Sequence, residues 1–87
     1  MRSLRIAPIL PVMPRLTLYM RDHCPLCDQA LELLAQARVP DFESAWIDED
    51  AALEARYGIR VPVLRNEDDG RELDWPFSVE ALRRFVG

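Results

Sequence analysis

Residues 16–34 read LTLYMRDHCPLCDQALELL, and the fold of the chain turns on how this stretch is parsed. Leu16 to Met20 are aliphatic, aromatic and β-branched with almost no polarity, the composition of a strand buried on both faces. Arg21-Asp22-His23-Cys24 breaks that run. Pro25 then suits the first helical position, where its missing N–H is one that no helical bond would use. Leu26, Ala30, Leu33, Leu34 and Ala37 recur at the spacing of one helical face, and Val39-Pro40 ends the helix. The chain's only two cysteines, Cys24 and Cys27, fall where the strand gives way to the helix.

The pattern continues downstream. Phe42 to Ile47 reads as a second strand, with Trp46, Phe42 and Ser44 on one face and Trp46 in or beside the core. Asp48, Glu49 and Asp50 gather where a second helix starts, at the positive end of its dipole. That helix carries Ala52, Leu53 and Tyr57 and stops at Gly58. Ile59 to Leu64 is a strand entered through a proline. Glu67-Asp68-Asp69-Gly70 is a solvated turn, and Arg71 to Asp74 a short returning strand. Ser78 caps a last helix through Val86, with Val79, Leu82, Phe85 and Val86 inward. The order β-α-β-α-β-β-α gives an α/β domain, a four-stranded mixed sheet flanked by three helices.

Upstream, residues 1–14 read MRSLRIAPILPVMP. The prolines interrupt its apolar patch and no small-residue cleavage site follows, so it makes a poor signal peptide. The expectation is a flexible leader over 1–14 and one domain over 15–87, in a cytoplasmic protein. Organised sequence begins at Arg15, which makes Met13 a candidate native start.

Bulk composition narrows the function. Eighty-seven residues suit a single domain with a thin core. A content of 49% hydrophobic and 30% charged residues is that of a folded globular chain, not a disordered one. The net charge of −4 argues against nucleic acid as a partner. All 11 basic residues are arginine, which excludes a lysine nucleophile. No apolar run approaches the length of a membrane span, and two cysteines are too few for a disulfide-stapled secreted scaffold.

Three uses of the cysteine pair remain. As a redox pair, Cys24 sits beside the unpaired N–H groups of the first helical turn, which favour a sulfur anion. Arg21 and the adjacent His23 add positive charge. Cys24 is then the attacking residue and Cys27, one turn inside the helix, the resolving one. As half of a structural zinc site the pair lacks partners, because His23 is the only histidine and abuts Cys24. As a structural bridge it would close too small a loop to stabilise the fold much. His23 serves either the sulfur's charge or only the solvated loop.

Leu18 to Ala30, L-Y-M-x-x-x-C-P-L-C-x-x-A, resembles the active-site strand and helix of glutaredoxins. Tyr57 to Val63, YGIRVPV, resembles the thioredoxin segment that contains that superfamily's cis-proline. With the V-P-V-L strand, the glycine turn and the W-P-F before the last helix, residues 15–87 resemble the short bacterial glutaredoxin-like family of the thioredoxin-fold superfamily. The resemblance implies a thioredoxin fold, Cys24 as nucleophile, Cys27 as resolving thiol and Pro62 in cis beside them. It also implies that the backbone of Val61 pairs with an extended substrate. Arg60 replaces the threonine common in glutaredoxins and is a candidate to hold a carboxylate; Trp75 is a candidate to line the substrate groove.

The expected function is thiol–disulfide exchange with a disulfide-bearing protein or a glutathione mixed disulfide, by a monomer with no tightly bound cofactor and no metal. Glutathione enters as a possible co-substrate, against Asp74-Trp75 where glutaredoxins carry Gly-Gly: Asp74 repels its carboxylates and Trp75 crowds them. The other readings are a thioredoxin-fold binding module without redox turnover and a metal or iron–sulfur carrier.

Overall fold

The computed structural model describes residues 15–39 and 41–87. The leader and the candidate start at Met13 lie outside them. The elements are β1 (Leu16–Met20), α1 (Pro25–Gln36), β2 (Phe42–Trp46), α2 (Ala51–Tyr57), β3 (Val63–Asn66), β4 (Glu72–Asp74) and α3 (Val79–Val86). β1 is central: parallel to β2 on one side and antiparallel to β3 on the other, in the order β2-β1-β3-β4. No described helix is long and apolar enough to cross a membrane.

The two faces of β1 set the layers. Leu16, Leu18 and Met20 point to the main core, built with Ala30 and Leu34 of α1, Leu64, Phe77, and Leu82 and Phe85 of α3. The opposite face carries Tyr19, which joins Ile47, Leu53, Tyr57 and Val63 under α2. Every helix start has the cap its sequence suggests. The Asp50 carboxylate accepts from the N–H groups of Ala52 at 3.0 Å and Leu53 at 3.1 Å, and Ser78 Oγ accepts from Ala81 N–H at 3.0 Å. α1 ends one turn before Pro40. Arg38 N–H donates to the Ala35 carbonyl and Val39 N–H to that of Leu34, with Arg38 left-handed at φ 56°. An arginine occupies the place that glycine takes most easily.

Three expectations are corrected. Leu26 is 42% exposed, and Cys27 takes its place on the buried stripe with Ala30, Leu34 and Ala37. Adjacent apolar residues lie about 100° apart around a helix, so only one of the two can face the sheet. Trp46 is 50% exposed because β2 is an edge strand and the end of its face is not covered. β3 begins at Val63 rather than Ile59: Arg60 and Val61 both donate their N–H to the Tyr57 carbonyl, which extends the α2 exit instead of a sheet ladder. The turn after β3 is as expected, with Gly70 at φ 80° and its N–H on the Asn66 carbonyl. Both Val61–Pro62 and Trp75–Pro76 are cis, and the resemblance implies only the first.

Candidate functional site

The loop after β1 delivers Cys24 to the mouth of α1. His23 makes the corner, left-handed at φ 54°, a conformation that histidine tolerates better than most residues. Cys24 follows in extended backbone and is the N-cap. Its carbonyl accepts from the N–H groups of Cys27 and Asp28, both at 3.1 Å, and its Sγ accepts from Cys27 N–H at 3.2 Å. A sulfur in this position receives an aimed N–H dipole besides the field of the helix.

Cys24 is half-buried and Cys27 is 1% exposed, and both are free thiols. Burial pushes the Cys27 thiol up to about 11. Its contact with Cys24 and the charge of Asp28 add to that rise, and the Arg21 N–H opposes it. One sulfur is therefore accessible and the other is sealed and protonated at neutral pH. Asp28 is exposed, and its charge disfavours an anion on Cys27.

Arg21 is anchored on α2 and lies within coulombic reach of Cys24. Its guanidinium donates to both carboxylate oxygens of Glu54 and, at 2.8 Å, to the Gly58 carbonyl, with Asp48 at 3.7 Å. It fastens the cysteine loop to α2, and its charge is largely matched there. His23 is exposed. Pro62 is buried, and Val61 and Trp75 pack against the same core cluster as Cys24 and Cys27. Trp75 meets Phe77 edge to face at 5.2 Å between centroids. Val61 N–H lies 3.1 Å from the Tyr57 carbonyl, so its carbonyl alone is left for an incoming strand. Arg60 does hold a carboxylate, but an internal one: it grips Asp74 at 2.7 and 3.3 Å, and also reaches Glu72 at 2.7 Å.

Glu72 was missed from the sequence. Its carboxylate accepts from Tyr57 Oη at 2.7 Å, Arg60 at 2.7 Å, Arg65 at 2.8 Å and Arg56 at 3.2 Å. Burial alone would raise its pKa; the bonds from Tyr57, Arg60 and Arg65 outweigh it and hold the carboxyl at about 2. Glu67, expected in a solvated turn, is partly buried and accepts from Tyr19 Oη and Arg65, both at 2.9 Å. Burial and that bond push the Tyr19 hydroxyl up to about 12. Tyr19 and Tyr57 stack at 4.3 Å between them. The signal available is Arg65 on β3 and Glu72 on β4, opposite charges that the antiparallel register places directly across from each other.

The family profile described as Glrx-like, glutaredoxin-like domain (DUF836), matches residues 15–87. Among solved structures, the crystal structure of target protein XcR50 from X. campestris is 63% identical, with 82% of this chain and 93% of that chain covered and a TM-score of 0.78. The solution structure of the same target gives 62% identity, 83% and 91% coverage, and a TM-score of 0.77. Protein Ne2328 from Nitrosomonas europaea shares the fold at 22% identity, with 93% and 100% coverage and a TM-score of 0.71. No curated protein matches the chain significantly.

Proposed function

From the premise that this chain belongs to the glutaredoxin-like domain family, we propose that it is a thiol–disulfide oxidoreductase working through Cys24 and Cys27. The observation that carries the reading is the asymmetry of the pair. Cys24 Sγ sits at the helix mouth with Cys27 N–H aimed at it, while the Cys27 thiol is buried and held protonated.

The chemistry follows in two displacements. Cys24, as thiolate, attacks one sulfur of a substrate disulfide; the other substrate sulfur leaves and takes a proton from solvent. Cys27 then gives up its proton and attacks Cys24 Sγ, which breaks the mixed disulfide and expels the second substrate sulfur. The substrate gains two electrons and the protein keeps a Cys24–Cys27 bridge. A second dithiol, or two equivalents of a monothiol such as glutathione, returns it to the reduced state. The high pKa of Cys27 gives the order: it is a poor nucleophile until Cys24 is engaged beside it. Substrates are disulfides of proteins or glutathione mixed disulfides, met in the cytoplasm. Val61 and Pro62 offer the receiving edge and Trp75 a wall.

Incubation of the reduced protein with a disulfide probe tests this. Mass analysis should show the loss of two hydrogens in the wild type, a trapped mixed disulfide in Cys27→Ser, and no reaction in Cys24→Ser. A Cys24→Ser protein that still reduces the probe, or a wild type that never closes the bridge, overturns the reading.

A further inference from the structure

Two kinds of exposed residue frame Cys24. The first is aliphatic. Leu26, in the opening turn of α1, and Ile59, fully exposed, both face solvent. Ile59 belongs to this end of the molecule because it lies two residues before Val61, which packs against the same core cluster as Cys24. A lone aliphatic side chain on a surface needs no explanation. Leu26 and Ile59, with Trp46 beside Met20 at the end of β2, are the exposed large hydrophobic residues among the described ones, and all three lie on elements that flank the cysteine loop.

The second kind is acidic. Asp28 follows Cys27 on α1, Asp22 lies in the cysteine loop, and its N–H donates to Asp48 at 2.9 Å, which brings Glu49 alongside. Asp22, Asp28 and Glu49 are exposed, and none of the ion pairs among the described residues uses them. The nearby cations are committed inward, Arg21 to Glu54 and Asp48, Arg60 to Asp74 and Glu72. An arriving disulfide therefore meets an aliphatic patch rimmed by unmatched negative charge. Such a rim slows an anionic partner and speeds a cationic one.

Resting on the redox reading above, we propose that the substrate is the disulfide of a polypeptide segment bearing basic residues and an aliphatic side chain next to its cysteine, taken in preference to anionic disulfides. Each turnover passes two electrons from Cys24 and Cys27 to that disulfide, so a pre-reduced protein needs no other reductant for one round.

The test is single-turnover reduction by the full chain of two synthetic disulfide peptides, identical except for Lys or Glu beside a Leu-Cys pair, with the neutral hydroxyethyl disulfide as reference. The lysine peptide should react about tenfold faster at low salt, and the ratio should fall below about twofold near 0.5 M salt. Asp22→Asn combined with Glu49→Gln should bring the lysine-to-glutamate ratio toward one. Ile59→Ser, at a wholly exposed position, should slow both peptides about threefold with the melting temperature unchanged. Equal rates for the two peptides at low salt, or a ratio indifferent to the double substitution, overturn the proposal while leaving the redox reading intact. If not even the neutral disulfide is reduced, the redox reading fails and this proposal with it.

Discussion

Glu72 offers the most quantitative prediction. Its carboxyl is held at about 2 where an ordinary one titrates near 4.5, a displacement produced by three hydrogen-bonding partners that overcome burial. A folded-state pKa below the unfolded one means that the charged form stabilises the fold: the contribution is complete above about 4.5 and disappears as pH falls to about 2. At about 1.4 kcal/mol per pH unit the ceiling is about 3 kcal/mol. Glu72→Gln keeps an acceptor oxygen, and Arg60 and Arg65 keep Asp74 and Glu67, so a loss of about 2 kcal/mol at pH 7 is expected. In a domain this small that lowers the melting temperature by about 8–16 °C. Urea unfolding of wild type and variant at pH 7, 4 and 2.5 checks it, because the gap should close as the wild-type carboxyl takes up its proton. A gap under about 0.5 kcal/mol at pH 7 refutes the account. So does a larger gap that stays constant with pH, which would mean that shape and not charge is what the network uses.

Two further predictions concern α1. Cys27 should cost the reduced wild type about 2–3 kcal/mol of stability between pH 9 and about 11, because the unfolded chain releases its proton in that window and the folded one retains it. Denaturant midpoints across this range should fall less steeply in Cys27→Ala, whose remaining slope comes from Tyr19 and Tyr57, both also held above their ordinary values. Arg38→Gly should stabilise the protein by about 0.5–1 kcal/mol, since Arg38 sits left-handed at φ 56° where glycine is unstrained, and a lower melting temperature would contradict it.

The path of the chain was legible wherever a local signal and a long-range need agreed. Pro25, Asp50 and Ser78 announce helix starts, and the caps are there. The run Leu16–Met20 reads as a doubly covered strand and is the centre of the sheet. The misreadings share another cause. The apolar spacing points to Leu26, but a buried thiol packs like a small apolar residue, and Cys27 holds the stripe instead. At Trp46, alternation gives the face of the strand but not how far anything covers it. The Glu72 cluster draws Tyr57 and Arg56 from α2, Arg60 from the loop and Arg65 from β3. The β3–β4 hairpin alone sets Arg65 against Glu72, whereas Tyr57, Arg56 and Arg60 join only when α2 docks on the sheet.

The position of Cys24 also fixes how its removal should be interpreted. As N-cap, its sulfur holds the Cys27 N–H, and serine is a better cap than cysteine, with an oxygen matched to that donor. Cys24→Ser therefore preserves or improves the start of α1, and a loss of disulfide reduction in that variant is a loss of the nucleophile alone. Cys27 is the opposite case. Its thiol is among the most deeply buried side chains of the described residues, within an apolar cluster, and a serine hydroxyl there costs about 1–3 kcal/mol if it finds no acceptor. A Cys27→Ser protein that fails to trap a substrate is informative only beside its own unfolding curve, and Cys27→Ala, which introduces no polar group, separates the missing thiol from a weakened core. The same burial makes Cys27 unreactive toward solvent in the resting protein, so the two sulfurs differ in chemical role because the fold gives them different surroundings.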